Sequence, residues 1–296
     1  MMNWDDLRVF LAVARSESLS GAGARLKIDA ATVGRRIARL EGAVGAALFA
    51  RSPQGYALSQ AGQRLLVHAE QAEAAILAGA EVAAGADEGL RGLVRIGAPD
   101  GCANYLLPQV ITRICAANPG LEVQLVALAQ LFNLSRREAD MAIGVSRPVT
   151  GRVTVQKLAD YRLVLAASRA WLADRGRVRT RADLAGLRFV GYIPDLIFDK
   201  ELDYLSEIGA PPVALSSNSI PVQLNFLRQG AGVGIVHDFA LASAPELARI
   251  LPDFALPRSF WLIRHADDRR VARLHRFAEI LVREARAEMA ALQARL

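Results

Sequence analysis

The stretch "DAATVGRRIARLEGAVGAALF", Asp29 to Phe49, gathers Thr32, Arg35, Arg36 and Arg39 into one short segment. A guanidinium is a permanently charged planar fork of five donors, suited to base edges and phosphate oxygens and unable to act as a base near neutral pH. The chemistry available here is recognition, not bond making. Elsewhere the chain offers little for catalysis. Its two cysteines, Cys102 and Cys115, are spaced unlike any zinc or redox motif. Its four histidines, His68, His237, His265 and His275, lack metal-ligand spacing. No G-x-S-x-G and no P-loop occurs, and "GAGVG" at 230–234 stands between a helix and a strand, the reverse of a dinucleotide fingerprint. The expectation is a protein with no metal and no cofactor that is not an enzyme.

The elements that must position those arginines can be read from periodicity. Leu7, Phe10, Leu11 and Ala14 follow helical spacing from Trp4 to about Ser16. Ser20 is expected to cap a second short helix in "SGAGARLKI", weakened by Gly21 and Gly23. Asp29 is placed to cap a third, with Val33, Ile37 and Leu40 on one face and Thr32, Arg35 and Arg39 on the other. Two short helices this close together predict a helix-turn-helix, whose second helix lies in a major groove. Thr32 and Arg35 are then expected at base edges, and Arg36 and Arg39 at phosphates, which fix position without reading sequence. Leu48 to Arg51 and Gly55 to Leu58 predict two strands joined by "SPQG", a wing with Arg51 and Gln54 as its contacts.

Ser59 then opens an alanine-rich helix with the stripe Leu65, Leu66, Ala69, Ala72, Ile76, Leu77 and Ala80. That stripe fits a helix-helix dimer contact or packing on its own domain. Beyond "DEGLRGL" strands and helices alternate: "LVRIGAP", the helix "NYLLPQVITRICAAN", "LEVQLVA", a helix and strand in "SRREADMAIGV", "YRLVLAAS", "LRFVGYI", "PVQLNFLRQGAGVGIVHD", "SFWLIRHAD" and a final helix over 267–296. The alternation implies a largely parallel α/β sheet.

Charge follows the same divisions. Basic residues exceed acidic ones by 8 to 5 over 1–58, acidic exceed basic by 5 to 1 over 59–90, and basic exceed acidic by 27 to 20 over 91–296. A basic head, an acidic connector and a basic remainder are different surfaces, although surplus charge alone does not define a partner. The N-terminal stretch carries two aspartates before its apolar positions, and no apolar run reaches the roughly 18 residues of a membrane span. A cytoplasmic protein with no membrane partner is expected. The missing export signal also argues against a solute-binding protein for transport.

From Asp5 to Gly62 the order of elements, the "RLE" ending the third helix, the "LF" opening the wing and the "S-x-A-G" start of the long helix resemble a LysR-type transcriptional regulator. "SRREADMAIGVSRP" and "LNFLRQGAGVGIVHD" are similar to that family's effector domains, so the resemblance covers the whole chain. It implies an α+β multidomain protein: a winged helix-turn-helix over 1–58, a linker helix over 59–90 and a two-lobed α/β effector domain over 91–296, resembling a type 2 periplasmic binding protein. Lobe I would span 91–162 and 266–296, and lobe II 163–265. The implied partners are double-stranded promoter DNA, a small-molecule effector between the lobes, and a second copy through the linker helix, with a homotetramer and RNA polymerase as further candidates. Ser20, Ala30 and Ala31 join the DNA-facing set, an alanine being placed to touch a thymine methyl. This chain departs from the family by having Asp29, Ala30 and Ala31 where Ser, Gln and Pro are common, so the glutamine suited to adenine is missing. By the same correspondence the cleft would be lined by Pro99, Asp100, Gly101 and Cys102, by Arg147, by Tyr192 and Asp195, and by Ser217 and Asn218. Asp100 there stands either as a helix cap or as a group already occupying an anion site.

Overall fold

The computed structural model describes residues 3–52, 55–83, 89–128, 139–148, 153–175, 178–209, 213–266 and 272–295. Gln54 and the start of "SRREADMAIGV" lie outside the described residues, as do the side chains of Arg51, Leu77 and Ala80. The chain forms two compact units, one covering residues 1–88 and one most of 89–296.

The first unit contains α1 (Trp4–Ser16), α2 (Leu19–Leu26), α3 (Ala30–Val44), β1 (Phe49–Ser52), β2 (Gly55–Leu58) and α4 (Gln60–Ala83). Each helix begins on a polar side chain that takes an otherwise orphaned amide. Asn3 accepts from the Asp5 amide, Ser18 from Gly21 and Asp29 from Thr32. The cap of α2 is therefore Ser18, and the expected Ser20 lies exposed within the helix. Two serines two residues apart look alike locally; the extended backbone at Ser18 selects it. Val33, Ile37 and Leu40 pack with Phe10, Leu11 and Phe49 into one core, each such side chain contributing about 1.5–3 kcal/mol by leaving water.

Glycines in this unit serve close approach. A Cβ on Gly23 would lie 2.6 Å from the Ile28 carbonyl oxygen, so the glycine that weakens α2 is what lets the turn into α3 fold back. A Cβ on Gly62 would lie 2.1 Å from the Leu48 oxygen, where α4 starts against the wing. Ser59 fixes that corner, its hydroxyl accepting from the Gly62 amide at 3.0 Å and donating to the Ala47 carbonyl at 2.6 Å. Leu65, Leu66, Ala69 and Ala72 of α4 pack on the same core, and Arg15 of α1 binds Glu73 in a two-pronged pair at 2.6 and 3.2 Å. Packing on its own domain thus accounts for the first half of the stripe, while Ile76 remains half exposed.

The second unit continues with β3 (Gly92–Pro99), α5 (Asp100–Tyr105), α6 (Leu107–Ala117), β4 (Leu121–Leu128), β5 (Met141–Gly144), β6 (Val153–Ser168), α7 (Arg169–Arg175), β7 (Phe189–Gly191), α8 (Tyr204–Glu207), β8 (Leu215–Ser216), α9 (Ile220–Arg228), β9 (Val233–His237), β10 (Leu247–Arg249), β11 (Leu256–His265) and α10 (Ala272–Gln293). The single helix expected over "NYLLPQVITRICAAN" is two, broken at Leu106 just before Pro108 in the first turn of α6.

The sheet runs β4-β3-β5-β11-β6-β9-β7-β8, with β10 pairing β6. The pairs β3–β4, β3–β5, β7–β8 and β7–β9 are parallel, but β5–β11, β11–β6, β6–β9 and β6–β10 are antiparallel. The largely parallel sheet read from alternation is therefore mixed. Each lobe has its parallel set, and β6 and β11 join the two as an antiparallel pair running from Leu163↔Leu256 to Val153↔His265. The ladder slips at Phe260/Trp261, and from Trp261 onward β11 also pairs β5. The expected return to lobe I comes after residue 265, and β11 already pairs β5 from Trp261.

Gly62→Ala should destabilise the first unit by about 1–3 kcal/mol, because its methyl group would collide with the Leu48 carbonyl and press on the Leu58 side chain. Urea unfolding followed on the isolated transition of that unit checks this; an unchanged midpoint would contradict the packing described.

Candidate nucleic-acid interface and ligand cleft

On α3 the polar face is a hydrogen-bonded relay. Asp29 accepts the Thr32 amide at 2.8 Å and the Thr32 hydroxyl at 2.7 Å, and the same hydroxyl accepts from the Arg35 guanidinium at 2.9 Å. The hydroxyl and amide of Thr32 hold the Asp29 carboxyl below its ordinary range. Arg35 is exposed and so held above the start of the helix beside exposed Ala31 and half-buried Ala30. Ala30, Ala31, Thr32 and Arg35 thus share the exposed N-terminal end of α3.

Arg36 and Arg39 are differently placed. Arg36 stands 3.9 Å from Asp5, a surface pair worth little. Arg39 grips Asp6 with two nitrogens, Nε at 2.6 Å, and Asp6 is only 2% exposed. Its guanidinium, expected at phosphates, serves first to tie α3 to α1. Sequence reading missed this because Asp6 lies 33 residues earlier. Glu41, the glutamate of "RLE", was also missed: it accepts the Leu48 amide at 2.7 Å and the Phe49 amide at 3.3 Å, setting where the wing departs. Arg51 lies in β1, which pairs β2 antiparallel.

In the second unit the expected cleft residues sit on several elements. Pro99 ends β3, and Asp100, Gly101 and Cys102 open α5. Asp100 Oδ2 accepts the Ile220 amide at the start of α9 at 2.7 Å, and Oδ1 accepts Asn104 Nδ2 at 2.8 Å. Its carboxylate caps a helix of the opposite lobe. Gly101 faces His237, and Cys102 is fully buried, which pushes its thiol up. Tyr192 is buried edge-on to Tyr204 at 5.8 Å, and burial, then the nearby Asp100 charge, raises its hydroxyl. Ser217 turns inward to the loop, its Oγ accepting the Ser219 amide at 3.1 Å and its carbonyl accepting Gln223 Nε2 at 2.6 Å. Asn218 is half-buried in the same turn.

Two residues stand apart. Arg147 is exposed, over the Trp261 ring at 5.9 Å, and Asp195 is exposed in its own short turn. Sequence reading missed a second link across the lobes, in which the Ser146 hydroxyl donates to Asp199, and it missed His237. His237 ends β9, stacked on Tyr161 at 5.2 Å, and burial lowers its pKa to about 4. Among the described residues no group of three or more His, Cys, Asp or Glu could hold a metal ion, and no helix is long and apolar enough to cross a membrane.

A winged helix-turn-helix with a guanidinium presented at the start of its reading helix, followed by a two-lobed α/β domain, defines a ligand-responsive DNA-binding regulator. Residues 4–63 match the bacterial regulatory helix-turn-helix protein description of the lysR family, and residues 87–286 the LysR substrate binding domain. The chain belongs to the LysR family of transcriptional regulators, which are not enzymes. The Mau operon transcriptional activator of Paracoccus denitrificans is 35% identical over 175 residues, 57% of this chain and 59% of that one. The probable hydrogen peroxide-inducible genes activator of Mycobacterium avium is 29% identical over 263 residues, 85% of this chain and 83% of that one. Full-length OxyR from Pseudomonas aeruginosa superposes with TM-score 0.73 and 18% identity over 96% of this chain and 95% of that one, a likeness of fold.

His237 gives this domain a pH dependence whose sign follows from burial. The native group titrates at about 4. An unfolded histidine binds its proton near pH 6.5, so stability should fall as pH drops below about 6.5 and go on falling toward the native value. His237→Gln should flatten that dependence, measured as urea midpoints across the interval; equal slopes for both proteins would refute the assignment.

Proposed function

We propose that this protein reads a two-fold symmetric promoter site through the N-terminal end of α3, with Arg35 as the principal base contact, and answers to a small molecule held between its lobes. The relay Asp29–Thr32–Arg35 carries this reading. It holds one guanidinium at the start of α3, which supports the reading because a recognition helix meets base edges with its N-terminal residues. Thr32, Ala30 and Ala31 supply the neighbouring contacts, Arg36 and the outer part of Arg39 meet phosphates, Ser20 and Arg51 add contacts from the flanking helix and wing, and Gln54 is the remaining contact of this reading.

The domain boundaries in this reading are 1–58, 59–90 and 91–296, with lobe I at 91–162 and 266–296 and lobe II at 163–265. Two copies pair through α4, whose half-exposed Ile76 is an apolar position not spent on its own domain. Pairing places two reading helices about one DNA turn, or a multiple, apart. Two dimers form a tetramer, RNA polymerase is the downstream partner, and the protein works in the cytoplasm. The effector shifts lobe closure and thereby the spacing of the paired DNA-binding domains, which requires that it bind the two arrangements with different affinity. Pro99, Asp100, Gly101, Cys102, Tyr192, Ser217 and Asn218 line its site, with Arg147 and Asp195 at the rim.

Arg35→Ala should erase sequence preference at a cost of about 1–3 kcal/mol per lost base contact while leaving nonspecific, salt-dependent binding nearly intact. Sequencing the genomic fragments retained by the purified wild type and variant tests it. Wild-type recovery of a few sites sharing a two-fold motif, lost in the variant, supports the reading; uniform recovery by the wild type, or an unchanged site set in the variant, overturns it.

A further inference from the structure

The two lobes meet where α5 of one comes against α9 of the other. The junction between them is made by Asp100, whose carboxylate takes the Ile220 amide from 120 residues away. A helix start attracts an anion because its first amides lack partners. In α9 most of that capacity is already spent. The Ile220 amide goes to Asp100, Pro221 has no N–H, and the Gln223 amide donates to the Ser219 carbonyl at 3.1 Å. While Asp100 holds the Ile220 amide, an incoming acid group would find the Val222 amide alone, not a pair, in the first turn of α9.

The surroundings call for donors instead. Asp199 also spans the lobes, accepting the Ser146 hydroxyl, and neither it nor Asp100 has a cationic partner among the described residues. Beside Asp100, the His237 ring packs so closely on Gly101 that a Cβ there would come within 2.9 Å. His237 is 6% exposed and its Nδ1 has no hydrogen-bond partner. A buried polar atom left unspent is costly, and a ligand that pairs it recovers that cost.

We propose that Asp100 is a built-in anion that clasps the two lobes, so that the cleft admits a neutral or cationic ligand bearing hydrogen-bond donors and rejects carboxylates. This rests on the reading of the cleft as the effector site. A molecule that enters the junction must offer donors to the released Asp100 carboxylate and an acceptor to the Ile220 amide. A carboxylate offers no donor and meets Asp100 as a like charge, so rejection is electrostatic as well as steric.

Amide exchange of the segment 219–228, followed by mass spectrometry on the full chain with formate as the probe, tests the clasp. Alanine at position 100 removes a group that formate can replace. In wild type the Ile220 amide should exchange slowly and ignore excess formate. In Asp100→Ala it should exchange at least about tenfold faster, the loss expected of one charge-assisted bond, and formate should slow it again. Asp100→Asn keeps the shape and one acceptor oxygen and should be intermediate without responding to formate, which covers any misfolding of the alanine variant. Exchange in both variants equal to wild type, or formate acting alike on wild type and Asp100→Ala or on neither, would overturn the proposal. The measurement uses no DNA, so its failure is distinguishable from failure of the regulator reading, which would appear as wild-type protein that does not select DNA fragments.

Discussion

A carboxylate withdrawn from water is stabilised only where donors converge on it, and in this chain that requirement sets how remote elements meet. Asp6 is 2% exposed and is held by Arg39, so α1 and α3 cross in one arrangement. Asp238 is wholly buried and receives the Arg162 guanidinium at 3.1 Å, Gln293 Nε2 at 2.9 Å and the Phe239 amide at 2.8 Å, which draws β6, the turn after β9 and α10 together. Asp100 does the same between the lobes with a backbone amide. Removing the donors of such a contact leaves a carboxylate stranded, which is why these contacts act as fixed points while surface pairs such as Arg36–Asp5 contribute little.

The same accounting limits how much of the basic surplus is free to bind a partner. Arg15 is committed to Glu73, Arg39 to Asp6, Arg113 to Glu284 and Glu288, and Arg162 to Asp238. Arg35 makes no ion pair within 4 Å among the described residues, and its hydrogen bond to the Thr32 hydroxyl orients the guanidinium at the start of α3. A cation held in place loses less conformational freedom on binding, so it contributes more to recognition than a freely moving one.

The paired strands β6 and β11 give the second domain its two-lobed form. Both run from one parallel set to the other, and the slip at Phe260/Trp261 concentrates twist where the chain passes between lobes. Tyr161, His237, Phe239 and Phe260 stack over this crossing with centroids 4.3 to 6.4 Å apart.

Features written within a few residues were legible in the sequence. The apolar spacing of Leu7, Phe10 and Leu11, the cap at Asp29, the opposition of Val33 and Ile37 to Thr32 and Arg35, and the two wing strands all follow from a period or a cap that local residues set by themselves. Membership of the family was legible for the same reason, since its motifs are runs of adjacent residues. Tertiary structure alone decided what depends on distant partners. Ser18 rather than Ser20 caps α2, Gly23 is required by the Ile28 carbonyl, and Arg39 turns to Asp6 instead of remaining free. Alternation of strands and helices likewise carries no record of direction, so the antiparallel centre of the sheet emerged only with the pairing of β6 and β11. Asp100 shows the division most clearly: its sequence announces a carboxylate at a helix start, but only folding brings Ile220 to it, because a hydrogen bond spanning 120 residues is specified by the packing of two lobes and by nothing within reach of either residue's neighbours.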